Sequence, residues 1–220
     1  MPGVTAPGQK MGFDHEESAT LYDERMGKLY PSDYPALFWL REALQDARSV
    51  FDFGGHVGIS FYAYDEPLAL GDDVRWMVCD VPKIAARGRE LAAKNGATRL
   101  EFCTAFSSCE GYDALLCSGS LHFVEPTLAT MLAGVSKRPR HLVVNKLPLT
   151  DGEPFVTLQN TVHSFNPYKV QNRRQFEDGL SALGYEMKDA WENADMSCHI
   201  PLHRERTVER YSGFYFRATR

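Results

Sequence analysis

The sequence predicts an α/β fold: a doubly wound, mostly parallel seven-stranded sheet, ended by two late strands and preceded by N-terminal helices. Three observations predict it. From Val50 to Leu149 short apolar runs alternate with helical patterns, the rhythm of βαβ units packed on both faces of a sheet. The first of these runs passes into a glycine-rich turn, Val50-Phe51-Asp52-Phe53-Gly54-Gly55-His56-Val57-Gly58. Beyond Leu149 the alternation breaks down, and two late strand-like runs end the chain.

Taken in order, residues 1–12 are rich in Pro and Gly and read as a leader, and Asp14 to Gly27 reads as a charged amphipathic helix. Ser32 or Asp33 is placed to cap a second helix, Pro35 to Asp46, with proline near its first turn. In that helix Leu37, Leu40 and Leu44 share one face, which should lie on the sheet. These segments, 1–46, form the predicted leader and cap, and 47–220 the main domain. The strands are Val50 to Phe53, Val74 to Asp80, Arg99 to Thr104, Tyr112 to Ser118 and His141 to Leu149. Between them a helix follows the glycine turn and ends before Pro67, another spans Lys83 to Asn95 with Gly96 as its stop, and a third spans Pro126 to Val135. Phe155 to Thr161 reads as an extra strand or extended insertion, and Gln171 to Leu183 as a helix stopped by Gly184. Tyr185 to Trp191 and Ser212 to Thr219 are the closing strands.

Composition narrows the classes. The chain has 220 residues, enough for one domain with a substantial core and short for two. Its 24 Lys and Arg against 29 Asp and Glu give a net charge of −5, which argues against a nucleic-acid groove built on bulk positive charge. The five cysteines are odd in number and lack a C-x-x-C pair, so a reducing compartment without a zinc site is expected. No apolar run approaches the roughly 20 residues of a membrane span. The expectation is a soluble, cytoplasmic protein.

The glycine turn carries the chemistry. Glycine takes positive φ and lets a ligand approach main-chain N–H groups, and a helix just beyond supplies free donors and a positive dipole end. Such a turn at the carboxyl edge of the first strand is a cofactor seat. Its spacing is D-x-G-x-x-x-G, with His56 where the middle glycine of the commoner pattern stands. Asp80 closes the second strand about 20 residues after Gly58, the interval at which an acid meets the ribose hydroxyls of a nucleotide-like cofactor. Asp52 sits inside an apolar run, where a carboxylate needs a partner. It either binds the amino group of a ligand or braces the loop.

The runs VFDFGGHVG, WMVCD, YDALLCSGSLHF and HLVVNKLPL, followed by a terminal strand pair, resemble a class I S-adenosylmethionine-dependent methyltransferase of Rossmann-like fold. The run from FVTLQNT to YSGFYFRA is similar to a bacterial branch of such proteins. The resemblance covers about residues 45–220, and it implies that the closing strand pair is an antiparallel C-terminal hairpin and that the N-terminal helices form a helical cap. It implies S-adenosylmethionine as cofactor, with Gly54, Gly55 and Gly58 cradling the methionine part and Asp52 near its amino group. It further implies Asp80 on the ribose, Val81 against the adenine, Thr104 and Ala105 at the adenine edge, and Ser118 and Gly119 under the methyl. Tyr22 or Tyr30 of the cap would close the pocket.

Methyl transfer needs a base only where the acceptor must lose a proton. His122, past the fourth strand, and His163, in the insertion, are the candidates, because imidazole titrates near neutral pH. Gln159, Asn160 and Asn166 surround His163 in sequence and would orient a polar acceptor. Lys146 and the pair Arg173-Arg174 are placed to meet an anionic group, or to form a solvated face. The expected activity is methyl transfer to an oxygen or nitrogen of a small metabolite or sugar, without a metal, a nucleic acid or a membrane as partner. A homodimer, with the cap acting in cis or in trans, stays open. The rival readings are a non-methylating reaction on the same cofactor, an NAD-type oxidoreductase on a related fold, and a catalytically idle cofactor-binding or scaffold protein.

Overall fold

The computed structural model describes residues 10–19, 25–161 and 164–219. A short strand β1 (Lys10–Met11) and one helical turn α1 (Glu16–Ala19) come first. Helix α2 (Tyr34–Ala43) leads into β2 (Ser49–Phe53), the glycine turn and α3 (Ile59–Leu68). The alternation continues through β3 (Arg75–Cys79), α4 (Pro82–Asn95), β4 (Leu100–Cys103), β5 (Ala114–Ser118), α5 (Leu128–Ala133) and β6 (His141–Leu147). Then come three strands in succession, β7 (Leu149–Thr150), β8 (Phe155–Asn160) and β9 (Ser164–Asn172). Helix α6 (Arg173–Ser181), β10 (Tyr185–Asn193) and β11 (Tyr211–Ala218) complete the chain.

The main sheet has seven strands in the order β10-β11-β6-β5-β2-β3-β4. Strands β2 to β6 pair in parallel, whereas β11 runs antiparallel to both β6 and β10. From β2 the chain first builds outward through β3 and β4, then returns to the other side with β5 and β6. The carboxyl ends of β2 and β5 therefore diverge at a switch point, where open sheets of this kind bind ligands.

Period-two alternation explains why the strands are apolar on both sides. Phe51, Leu115, Leu142, Val144, Phe214 and Phe216 point to one face, packing on Leu128 and Leu132 of α5 and Phe176 and Leu180 of α6. Val50, Trp76, Val78, Leu116, Val143 and Tyr215 point to the other, against Ala36 and Leu40 of α2, Phe61 and Tyr64 of α3 and Ala85 of α4. Helix α2 thus lies in a layer on the sheet, as the spacing of its leucines predicts. Gly96 and Gly184 stop their helices in the left-handed region, at φ 66° and 85°.

Several expectations are corrected. The helix expected over Asp14 to Gly27 is helical at Glu16–Ala19, Arg25 to Gly27 form a turn, and 20–24 lie outside the described residues. Helix α3 continues through Pro67 to Leu68, because a proline in a last turn lacks only one ladder donor. Asp33 makes no side-chain cap on α2; its carboxylate is used elsewhere. The insertion expected at Phe155 to Thr161 is half of a hairpin. Its second strand, β9, pairs antiparallel with β8 and parallel with both β1 and β7, forming a small second sheet.

Candidate functional site

The glycine turn sits at the switch point. Gly54 and Gly58 have φ of 73° and 95°, and His56 between them also lies in the left-handed region at 56°. A side chain there costs of order 1–3 kcal/mol, so the surroundings must hold it. The His56 N–H donates to Asp80 Oδ2 at 2.9 Å. Its Nε2 meets the carbonyl of Ser18 at 2.8 Å, and since a carbonyl only accepts, that nitrogen carries the proton. His56 therefore pins the turn to β3 on one side and to the N-terminal segment on the other.

The close approaches explain the glycines. A Cβ on Gly54 would overlap Ser120, one on Gly55 would overlap the Asp52 carboxylate, and one on Gly58 would fall 2.7 Å from Leu100 Cδ2. Asp52 is 1% exposed and accepts the Trp76 indole N–H at 3.3 Å. Burial pushes its carboxyl up to about 7, against the pull of that hydrogen bond. Its carboxylate lies against Gly55. Asp80, at the end of β3, also accepts the Val81 N–H at 2.8 Å. Burial raises its pKa, while the Val81 and His56 contacts pull the other way. Each carboxylate oxygen keeps further lone pairs for a ligand. Among the described residues the Gly55 N–H has no acceptor.

No family model matches the chain, and no curated protein does. Solved structures do. A 1,6-didemethyltoxoflavin-N1-methyltransferase of Burkholderia thailandensis superposes with a TM-score of 0.57 at 22% identity, over 86% of this chain and 79% of that one. An O-methyltransferase of a polyketide synthase multienzyme from Brevibacillus brevis gives 0.60 at 11% identity, over 92% and 75%. A magnesium protoporphyrin IX methyltransferase of Synechocystis gives 0.56 at 16%, over 86% and 78%. The chain has the methyltransferase fold. The first two of these proteins were solved with S-adenosylhomocysteine bound and the third with S-adenosylmethionine.

Within that fold the other sequence-predicted residues fall into two groups. Val81, Ser118 and Gly119 are half-buried at the carboxyl edge, and Thr104 and Ala105 are exposed just beyond β4. Lys146 is expected from the sequence either to meet an anionic group or to lie on a solvated face. Instead it forms a buried ion pair with Asp33, and Tyr64 donates its hydroxyl to the same carboxylate oxygen at 3.1 Å. Lys146 takes φ 56° to do so. Tyr30 is 37% exposed; its N–H donates to Asp33 at 2.9 Å and its ring lies under the Arg25 guanidinium. Arg173 and Arg174 pair with acids of their own surroundings, Asp151 and Asp178. Tyr22 and His163 lie outside the described residues.

On the small sheet, Gln159 and Asn166 are cross-strand partners in the β8–β9 register and share its inner face. Asn160, one residue on, points to the opposite, exposed face, because side chains alternate along a strand. His122 is 5% exposed, in a short turn over Leu121–Phe123, with its ring 4.4 Å from that of Tyr168. Burial, and secondarily the Lys169 charge, push its pKa down to about 3. It does not titrate near neutral pH as expected, so it is a weak base there.

The sequence reading missed the strap that crosses the crevice. The Gly12 N–H donates to the carbonyl of Phe165 on β9 at 3.1 Å, and Asp14 accepts the Lys83 N–H at the start of α4 at 2.9 Å. Between them Phe13 packs edge-on to Phe123, centroids 4.9 Å apart, and beside Val57 and Ile84. The signal was only Phe13, a lone aromatic between the glycine-rich leader and the helix expected from Asp14. Among the described residues no cluster is placed to hold a metal ion, and no helix is long and apolar enough to cross a membrane.

Proposed function

We propose that this protein transfers a methyl group from S-adenosylmethionine to an oxygen or nitrogen of a small-molecule acceptor. The observation that carries the reading is the Gly54–Gly58 turn at the switch point, tied through His56 to an acid that ends the next strand, in a sheet closed by a reversed strand. The site fits the cofactor. Gly54 and Gly55 let the turn pack closely on Ser120 and Asp52, the Gly55 N–H is unclaimed among the described residues, and Asp80 retains lone pairs for a ribose diol.

On this reading Gly54, Gly55 and Gly58 would hold the methionine part and Val81 the adenine face. Thr104 and Ala105 would border the adenine edge, and Ser118 and Gly119 would lie under the methyl. Asp52 would support the loop from below rather than touch the ligand. The cofactor supplies an electrophilic methyl on a sulfonium. The chain supplies alignment and a water-poor cavity, which is where much of the acceleration of a bimolecular displacement comes from. His122, too weakly basic to take a proton near neutral pH, would position the acceptor. The strap from Met11 to Ser18 would exclude water.

Isothermal titration tests the reading. S-adenosylhomocysteine should bind with micromolar affinity and NAD should not. Binding of NAD in preference to the homocysteine compound would overturn it.

A further inference from the structure

Resting on that reading, we infer that the acceptor is a neutral aromatic or heteroaromatic molecule carrying N–H or O–H donors, and that it is held at the inner face of the β8–β9 hairpin, beside the place where the 121–123 turn packs on that face. Three polar atoms there have no protein partner among the described residues: His122 Nδ1, Gln159 Oε1 and Asn166 Oδ1. His122 and Asn166 are 5% and 2% exposed. Buried polar atoms of folded proteins are nearly always paired, so three orphans in one place need an explanation. They share one surface: Gln159 and Asn166 are opposite in register, Tyr168 follows Asn166 on the same face, and the His122 ring lies against Tyr168.

The chemistry of the set selects the ligand. Asn166 gives one of its two amide N–H donors to Ser164 Oγ at 3.3 Å, which orients the side chain and leaves its carbonyl oxygen, an acceptor, without a partner among the described residues. Gln159 offers a second such oxygen. Two amide carbonyls side by side call for a molecule that donates. The neighbouring walls are aromatic. Phe123 lies 4.2 Å from His122 by ring centroids, Tyr168 and Tyr211 join hydroxyls behind it, and Phe13 of the strap closes the side. A flat ring is what stacks on such walls. Charge is the remaining criterion. The nearby Lys169 ammonium is tied to the carbonyls of Glu125 and Pro126, at 2.9 and 3.2 Å, so it is not held out to an anion. The three orphan atoms belong to neutral side chains, so a charged ligand gains no ion pair from them.

The test uses lumazine, a neutral fluorescent bicycle with two ring N–H donors, beside 1,3-dimethyllumazine, which lacks them, and methyl glucoside, which donates but has no ring. Each is titrated into the full chain with and without S-adenosylhomocysteine. Lumazine should saturate, with the dimethyl compound at least tenfold weaker and the glucoside without effect. Asn166→Leu and Gln159→Leu should each weaken lumazine about tenfold and leave S-adenosylhomocysteine affinity unchanged. Gln159 is only half-buried, so its variant keeps the test sound if the other misfolds. Equal binding of lumazine and its dimethyl derivative, binding of the glucoside alone, or no saturation by any probe (the orphans then meeting ordered water only) would overturn the inference. Failure of the cofactor reading shows separately, as lumazine binding without S-adenosylhomocysteine binding.

Discussion

Asp52 shows how a single residue links stability to the site. Its carboxyl is raised to about 7 by burial, against an ordinary value near 3.9 in an unfolded chain. Between roughly pH 4 and pH 7 the folded state therefore binds more protons than the unfolded one. The stability it contributes is fully present below pH 4 and is lost as pH rises through 7. Asp52→Asn should flatten that fall, so the variant melts at a higher temperature than the parent at pH 8 and differs less at pH 5. Melting curves across this range check it. A parent that gains stability from pH 5 to pH 8 through this residue would refute the assignment. Asp80 acts on binding instead. Asp80→Ala should cost S-adenosylhomocysteine affinity about 1–3 kcal/mol, the range for leaving buried polar partners unmade, and it also releases the His56 N–H. Calorimetric affinity for the variant decides it. The Asp80 position was legible because its distance from the glycine turn is a chain-length quantity. The low basicity of His122 was not, because desolvation depends on Phe123, Tyr168 and Tyr211, two of them far away in sequence.

Among the elements, the closing hairpin is the most sensitive to one atom. A Cβ on Gly213 of β11 would overlap the Trp191 indole, whose N–H donates to Asn145 Oδ1 at 3.0 Å. Gly213→Ala should destabilise the protein by about 1–3 kcal/mol through overpacking, read as a lowered denaturation midpoint with an unchanged slope. At the glycine turn, Gly54→Ala combines a strained φ of 73° with overlap of Ser120; it should lose S-adenosylhomocysteine affinity by more than it loses stability. Strands β2, β3, β5 and β6 were legible because parallel central strands are apolar throughout. Strand β9 was not. Its sequence, SFNPYKVQN, carries Asn166, Pro167 and Asn172, residues that read locally as a turn. Pairing with β1, β7 and β8 on its two sides overrides that preference.

For the whole molecule, the strap, the small sheet and the main sheet meet over one crevice, so a ligand bound there should stabilise them together. At 100 times its dissociation constant a ligand adds about 2.7 kcal/mol. For a chain of this length that is a rise in Tm of roughly 5–10 °C. S-adenosylhomocysteine should produce it in a thermal shift and NAD should not. An absent shift at saturating concentration would remove the crevice from consideration.

What the sequence by itself determined was the layered sheet, the place of the glycine turn and the acid that follows it. Each follows from periodicity, glycine conformation or chain separation, and these are properties of neighbours along the chain. Only the tertiary structure decided that Lys146 is spent on Asp33, that Asn160 faces away from Gln159 and Asn166, and that a leader segment lies across the crevice. Those outcomes depend on which distant groups compete for the same buried partner, and burial exists only once the layers have closed.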